Sequence, residues 1–286
     1  MTAIRVYRIP DLMPYVNWSY FYFAWGVKAE QLEAREVRAE AERMMHHLSL
    51  NGVVVRAAFR LLEAYSDGDD VVLWNPLTGE EKGRLNFLRQ QHSRIGEPTL
   101  CLADFIAPRG YGDSTHVADR IGLFATSVSA RHECPCCTGD VLLLQTVKDR
   151  LAEAAAEVLH AEVRRSLWGY SPDEPSPDVA DSAFGSYLGY LFSERFQGIR
   201  PAVGYPSLLD QSFIFELARH LPFAELGITL TENGMMQPHA STCGLILAHP
   251  AARYFSIGPV ADDQLADYAR RRHLPPQYLR KFLPLN

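Results

Sequence analysis

One arginine stands in a stretch otherwise short of side chains: "GIRPAVGYPSLLDQS", residues 198–212. Pro201 and Pro206 stiffen this backbone, while Gly198 and Gly204 remove side-chain bulk from it. A guanidinium offers a planar fork of N–H donors that matches a carboxylate. Two readings stay open. The stretch is a surface turn of common composition, or it is a bare shelf along which a ligand lies while Arg200 grips its anionic group.

A second chemical feature is acidic. In "LLLQTVKDRLAEAAAEVLHAEVRRSLWGY", residues 142–170, Asp149, Glu153 and Glu157 recur at i, i+4 and i+8. That spacing sets three carboxylates on one helix face, either as a solvated edge or as a wall facing a cation. Lys148 and Arg150 temper the charge. A third feature, "RHECPCCTGD" (131–140), gathers His132, Cys134, Cys136 and Cys137. A C-x-C-C run without a second pair is not zinc spacing, and Cys101 and Cys243 stand alone, so no metal site is assigned. The ten histidines form no H-E-x-x-H, and "GYGDS" lacks the G-x-S-x-G elbow of a hydrolase.

These residues need elements to hold them. Residues 28–49 are rich in strong helix formers, with Ala34, Val37, Ala41, Met44 and Leu48 at helical spacing. "GVVVRAAFRLLEAY" (52–65) and "DVVLWNP" (70–76) read as two strands around an "SDGDD" turn. "TLCLADFIAP" (99–108) and "RIGLFATSVSA" (120–130) read as further strands. The long helix over 142–170 carries Val147, Leu151, Val158, Leu159 and Leu167 as its apolar stripe and stops at Gly169. A Pro-rich loop (171–178), a short helix before Gly198 and a helix over 210–221 follow. "GITLTENG", "STCGLILAH" and "ARYFSIGPV" read as strands. In the last, Tyr254 and Phe255 point to opposite faces. "DDQLADYARRRH" (262–273) is a helix begun by acids and ended by bases. Helices and strands mix without regular βα alternation, and no G-x-G-x-x-G follows a strand. The expected class is α+β, in a single domain over residues 1–286.

Bulk properties narrow the partners. A net charge of −6 leaves no basic footprint for nucleic acid. No apolar run approaches the ~20 residues of a membrane span, and the first residues lack the pattern of a signal peptide. Five unevenly placed cysteines argue against a disulfide framework, so the cytoplasm is the expected location.

Ten segments, in order, resemble the AdoMet-binding activation domain of cobalamin-dependent methionine synthase. They are "YVNW" (15–18), "DGDDVVLW" (67–74), "LRQQ" (88–91), "CLADFIAP" (101–108), "DRLAEAAAEVLHAEVR" (149–164), "WGY" (168–170), "QGIRPAVGYP" (197–206), "GITLTE" (227–232), "HPAARYFSIG" (249–258) and "DQLADYARR" (263–271). The resemblance implies a C-shaped α+β domain with a central, mostly antiparallel sheet that holds S-adenosylmethionine (AdoMet). It also implies a methyltransferase component that supports reductive methylation of cob(II)alamin. The cobalamin would be carried by a separate methionine synthase subunit, and a flavodoxin- or ferredoxin-type donor would supply the electron.

Residue by residue, the resemblance makes Arg200 the group that binds the AdoMet carboxylate. Ala202, Gly204 and Tyr205 become the shelf under the adenosyl part, and Tyr254 and Phe255 the aromatic pair at the ligand. Asp149, Glu153 and Glu194 become carboxylates of the active-site side. Asn17 occupies the position of a family aspartate that contacts the AdoMet amino group. A neutral partner there costs roughly 1–2 kcal/mol, or about 5–30-fold in affinity.

Other departures are "SLLDQS", which lacks the family's C-P-[ED]-H-T pattern, and "ENGMMQPHAS", which follows its counterpart only loosely. No D-x-H-x-x-G cobalt-ligand motif is present. Asn17, the altered 207–212 segment and the cysteine cluster motivate the alternative reading, a stand-alone AdoMet-using enzyme of a biosynthetic pathway without cobalamin.

Overall fold

A computed structural model describes residues 1–93, 96–110, 119–128, 140–175 and 187–284. Its centre is an antiparallel sheet built on one long strand. In chain order the strands are β1 (Thr2–Arg8), β2 (Val54–Asp67), β3 (Asp70–Trp74), β4 (Glu81–Asn86), β5 (Asp119–Val128), β6 (Thr229–Leu230), β7 (Met236–Gln237) and β8 (Ser241–Ile246). The sheet runs β4-β3-β2-β5-β8, and β1 pairs with the first half of β2 on the edge whose second half takes β3. Phe59 of β2 faces Phe124 of β5, and Phe124 faces Gly244 of β8. β6 and β7 form a separate two-stranded ribbon.

Period-two alternation gives this sheet two apolar faces. Val55, Ala57, Phe59 and Phe124 enter one core, while Ala58, Ala64, Leu123 and Ala125 enter another. The helices are α1 (Ile9–Leu12), α2 (Trp18–Trp25), α3 (Leu32–Leu50), α4 (Val141–Glu162), α5 (Tyr187–Phe192), α6 (Phe213–His220), α7 (Phe223–Leu226), α8 (Asp262–Arg272) and α9 (Pro276–Leu279). α1 to α4 cover the first face and α6 and α7 the second, while α8 and α9 share a small core beyond it. The α+β class with a central antiparallel sheet is what the sequence predicts.

α4 is the helix that matters for function. Asp140 caps its start by accepting from the Leu143 N–H at 2.8 Å. Ala152, Ala154, Ala155 and Ala156 are buried, and so small a face lets the helix lie close to the sheet. The Thr126 hydroxyl of β5 donates to the Ala152 carbonyl at 2.8 Å, inside the core. Beyond Glu162 the chain continues as a π turn, Val163–Leu167, before ending near Gly169.

Two predicted strands are not strands. Within 99–108 the Asp104 carboxylate accepts the Cys101 N–H at 2.8 Å, closing a one-turn 3-10 helix over Leu102–Phe105. That side chain competes with a sheet ladder for the backbone donor. Residues 252–258, "ARYFSIG", form no strand; a turn at Pro250, closed by Ala252 N–H to His249 O at 2.9 Å, precedes them. No helix among the described residues is long and apolar enough to cross a membrane.

Candidate functional site

Residues 199–203 lie along the free edge of β8. Ile199 and Leu247 exchange both backbone bonds at 3.0 Å, and the Leu245 N–H donates to the Pro201 carbonyl at 2.9 Å. Pro201 has no N–H to return. Alternation then sends Ile199 and Val203 into the core under α6, and turns Arg200 and Ala202 toward α4. The Arg200 N–H, pointing away from β8, donates to the Tyr254 hydroxyl at 3.0 Å.

Two glycines allow this course. A Cβ on Gly244 would stand 2.1 Å from the Pro201 carbonyl oxygen and 2.7 Å from Ala202 Cα, so glycine alone lets the segment approach β8. Gly204 adopts φ +87°, and a Cβ there would meet Gln211 Oε1 at 2.8 Å. The turn itself, rather than a ligand, therefore demands glycine at 204.

Arg200 reaches α4 through a single hydrogen bond, Nη2 to Glu157 Oε2 at 3.1 Å. Its guanidinium carbon lies 5.5 Å from the centre of the Phe124 ring. The two side chains are 17% and 16% exposed, yet Arg200 Nε and Glu157 Oε1 are both buried and, among the described residues, have no hydrogen-bond partner. Burial works against the charge on Arg200; the fields of Glu157, Tyr254 and Glu153 outweigh it and hold the pKa above the ordinary arginine value. The pair is charged, desolvated and only partly bonded.

The rest of the acidic face is also partnered, so it is not a bare solvated edge. Asp149 accepts from Gln145 Nε2 at 2.7 Å and lies 3.6 Å from His239 Nδ1. Glu153 is gripped by both ends of the Arg150 fork at 2.8 and 3.0 Å, and the Tyr205 hydroxyl stands 3.5 Å from it. Glu194, just past α5, sits in the left-handed region at φ +51°. Its carboxyl pKa is pushed up by burial and then by the charge of Glu157, with Arg200 pulling the other way. Tyr205 and Tyr254 present exposed rings beside this group.

The structure thus gathers Arg200, Ala202, Tyr205, Tyr254, Glu153 and Glu194, with Asp149 one turn back on the same helix. Phe255 packs inward against Phe105, ring centres 6.3 Å apart, so only Tyr254 of the aromatic pair faces Arg200. Both aromatics line a hollow of about 430 Å³ shared with Gln90, His92, Leu100 and Arg253, and Arg200 is not among its walls. Asn17 caps α2, its Oδ1 accepting from the Ser19 and Tyr20 N–H groups at 3.1 and 3.4 Å. Among the described residues no hydrogen bond joins it to the Arg200 group.

Sequence reasoning placed Glu157 on the acidic face but gave it no role; its i+4 step from Glu153 was the available signal. Phe124 and Gly244 carry no motif. The cysteine cluster at 132–137 lies outside the described residues, and among those described no group of three His, Cys, Asp or Glu is arranged to hold a metal. Cys101 and Cys243 are buried, which pushes both thiols up, Cys101 to about 12, and leaves them unreactive.

Comparison with known proteins places the geometry in context. A family profile described as "Vitamin B12 dependent methionine synthase, activation domain" matches residues 8–273. A solved structure titled "Crystal Structure of the MetH Reactivation Domain bound to AdoHcy" superposes with a TM-score of 0.87 at 28% sequence identity, covering 100% of this chain and 91% of that one. The chain belongs to the family of vitamin B12-dependent methionine synthase activation domains.

Proposed function

We propose that residues 1–286 form one AdoMet-binding unit, and that the ligand lies between α4 and residues 198–206. Arg200 takes its amino-acid carboxylate. Ala202 and Tyr205 back the nucleoside, and Tyr254 offers its exposed ring to the sulfonium, a contact worth about 0.5–2 kcal/mol. Asp149, Glu153 and Glu194 supply negative potential toward the same cation. The AdoHcy in the related crystal structure is AdoMet without its methyl group, so it stands for the methyl donor after transfer.

The observation that carries this reading is the half-used Arg200 guanidinium. It is held charged and aimed by a single bond, and among the described residues its buried Nε has no partner. A carboxylate ligand supplies the missing acceptors.

In the cytoplasm, the unit would dock on a cobalamin-carrying methionine synthase subunit. A cobalamin held by that partner would supply the methyl-accepting cobalt, and a flavodoxin- or ferredoxin-type protein the one electron the reaction needs. This chain binds and orients the donor and excludes water from it.

Calorimetry with AdoMet on the wild type and on Arg200→Ala tests the site. The reaction is tested by adding the protein, AdoMet and a reductant to an inactivated cobalamin-dependent synthase, where restored turnover is expected. If turnover never returns and AdoMet alone yields methylthioadenosine, the chain is instead a stand-alone AdoMet-using enzyme.

A further inference from the structure

An arginine side chain has four rotatable bonds, and a ligand that must order it loses affinity to that ordering. In this structure the ordering is already done. The backbone at residue 200 is fixed by the Ile199–Leu247 pair on one side and the Tyr254 hydroxyl on the other. Beyond the backbone, the Phe124 ring gives a face at 5.5 Å but no direction within its plane. Direction comes from Glu157, whose Oε2 takes Nη2 at 3.1 Å. Among the described residues this is the side chain's one hydrogen bond.

Glu157 is well suited to the task. It projects from α4, whose neighbouring turn is tied to β5 by the Thr126 bond to Ala152, so its own position is rigid. It is largely buried, its second oxygen has no partner among the described residues, and it stands one turn beyond Glu153, which is occupied by Arg150.

We propose that Glu157 is the positioning residue of the ligand site: its carboxylate holds the Arg200 guanidinium edge so that the remaining donors meet the carboxylate of AdoMet. The inference rests on the reading that Arg200 receives that carboxylate. Glu157 does not touch the ligand; it acts through Arg200.

The test compares AdoMet with decarboxylated AdoMet, which keeps the sulfonium and the amine and lacks the carboxylate. Both are titrated calorimetrically into the full chain, wild type and variants, with thermal unfolding as the check on folding. Glu157→Gln should weaken AdoMet about 10-fold, the loss of one charge-assisted orienting bond, and leave decarboxylated AdoMet within about 2-fold. Glu157→Asp keeps the charge but withdraws it by one methylene, and should fall between; it gives the same readout if the glutamine variant does not fold.

Equal weakening of both ligands, or no weakening of either, overturns the positioning role. If Arg200→Ala abolishes the preference for AdoMet over its decarboxylated form while Glu157→Gln preserves it, positioning fails alone. If Arg200→Ala also preserves that preference, the carboxylate assignment fails with it.

Discussion

Two ion pairs lie close together along α4 and its continuation, and they are built differently. Arg164, in the π turn after α4, meets Glu174 with two bonds, Nε at 2.5 Å and Nη2 at 2.7 Å, and neither side chain is exposed. The Phe196 ring lies 3.7 Å from its guanidinium carbon. Arg200 meets Glu157 with one bond at 3.1 Å and stands further from its ring. Both oxygens of Glu174 are taken, and Arg164 leaves only Nη1 over; in the second pair a donor and an acceptor are both left over. A buried pair offsets its desolvation only when its bonds are filled. Arg164 and Glu174 meet that condition and act as structure, whereas Arg200 and Glu157 await a third group.

Breaking the filled pair should have the largest effect. Glu174→Ala leaves a fully buried guanidinium without its counter-ion, a change that costs about 3–5 kcal/mol. Urea unfolding reads it directly, and a loss below about 1 kcal/mol would show the two pairs to be of one kind.

Arg200→Ala tests the other side of the contrast. AdoMet affinity should fall by roughly 2–4 kcal/mol, about 30- to 1,000-fold, through two lost charge-assisted bonds. Stability should fall by about 1–3 kcal/mol, less than for the filled pair, because Glu157 loses its counter-ion but keeps some access to water. A variant that unfolds yet binds normally would reverse the comparison.

Gly244→Ala perturbs the support of Arg200 without touching either pair. The new methyl group cannot coexist with the Pro201 carbonyl at 2.1 Å, so residues 199–203 must leave the β8 edge. Overpacking of this kind costs about 1–3 kcal/mol. AdoMet affinity should drop with stability, and a parallel Gly244→Ser variant should be worse in both assays.

The same contrast explains what the sequence could disclose. Arg200 was legible because its neighbours are so plainly backbone, and the acidic face because helical spacing is local. The partnership between Arg200 and Glu157 spans 43 positions and depends on how β8 is edged, which no local pattern encodes. β2, β3, β5, α3, α4 and α8 follow their periodicities. β1 and β4 were missed because they bury little: Ile4 and Val6 of β1 are exposed, and β4 reads "EKGRLN". Edge strands of this sort lack the apolar alternation that marks a strand. The 99–108 stretch has that apolar content, yet one carboxylate, Asp104, turned it into a helix turn. Asn17 carries two roles that one sequence cannot separate: the resemblance makes it a ligand contact, and its place before the apolar run "WSYFYFAW" makes it the helix cap seen in the structure.

Acidification separates the two regions through His160, which lies between them. Its ring is buried edge-on to Phe196 at 5.2 Å and bonded to the Tyr170 hydroxyl at 3.1 Å. Burial, then the charges of Arg164 and Arg200, hold its pKa well below the ordinary value of 6.5. The folded state keeps the ring neutral while the unfolded chain takes up a proton. Stability from this group is thus complete above pH 6.5 and drains away below it, by at most about 1.4 kcal/mol per pH unit. His160→Gln should flatten the urea-unfolding profile between pH 6.5 and 5, whatever its absolute cost. An unchanged slope would remove His160 from the account.

Glu194 should give the smallest effect and the opposite sign. Its pKa is raised by burial and by Glu157, so the folded state prefers the protonated carboxyl. The stability it contributes is present below the ordinary value of 4.5 and lost as pH rises through the higher folded value. Glu194→Gln is neutral at every pH. It should therefore unfold at a slightly higher temperature than wild type at pH 7, and the gap should close below pH 4.5. Arg200 is the group that eases the repulsion, so the gap should widen when the substitution is made in an Arg200→Ala background. A gap that keeps its pH dependence but ignores residue 200 would mean that burial alone raises Glu194 and that the Arg200 and Glu157 charges are screened from it. The second ion pair would then be as closed as the first.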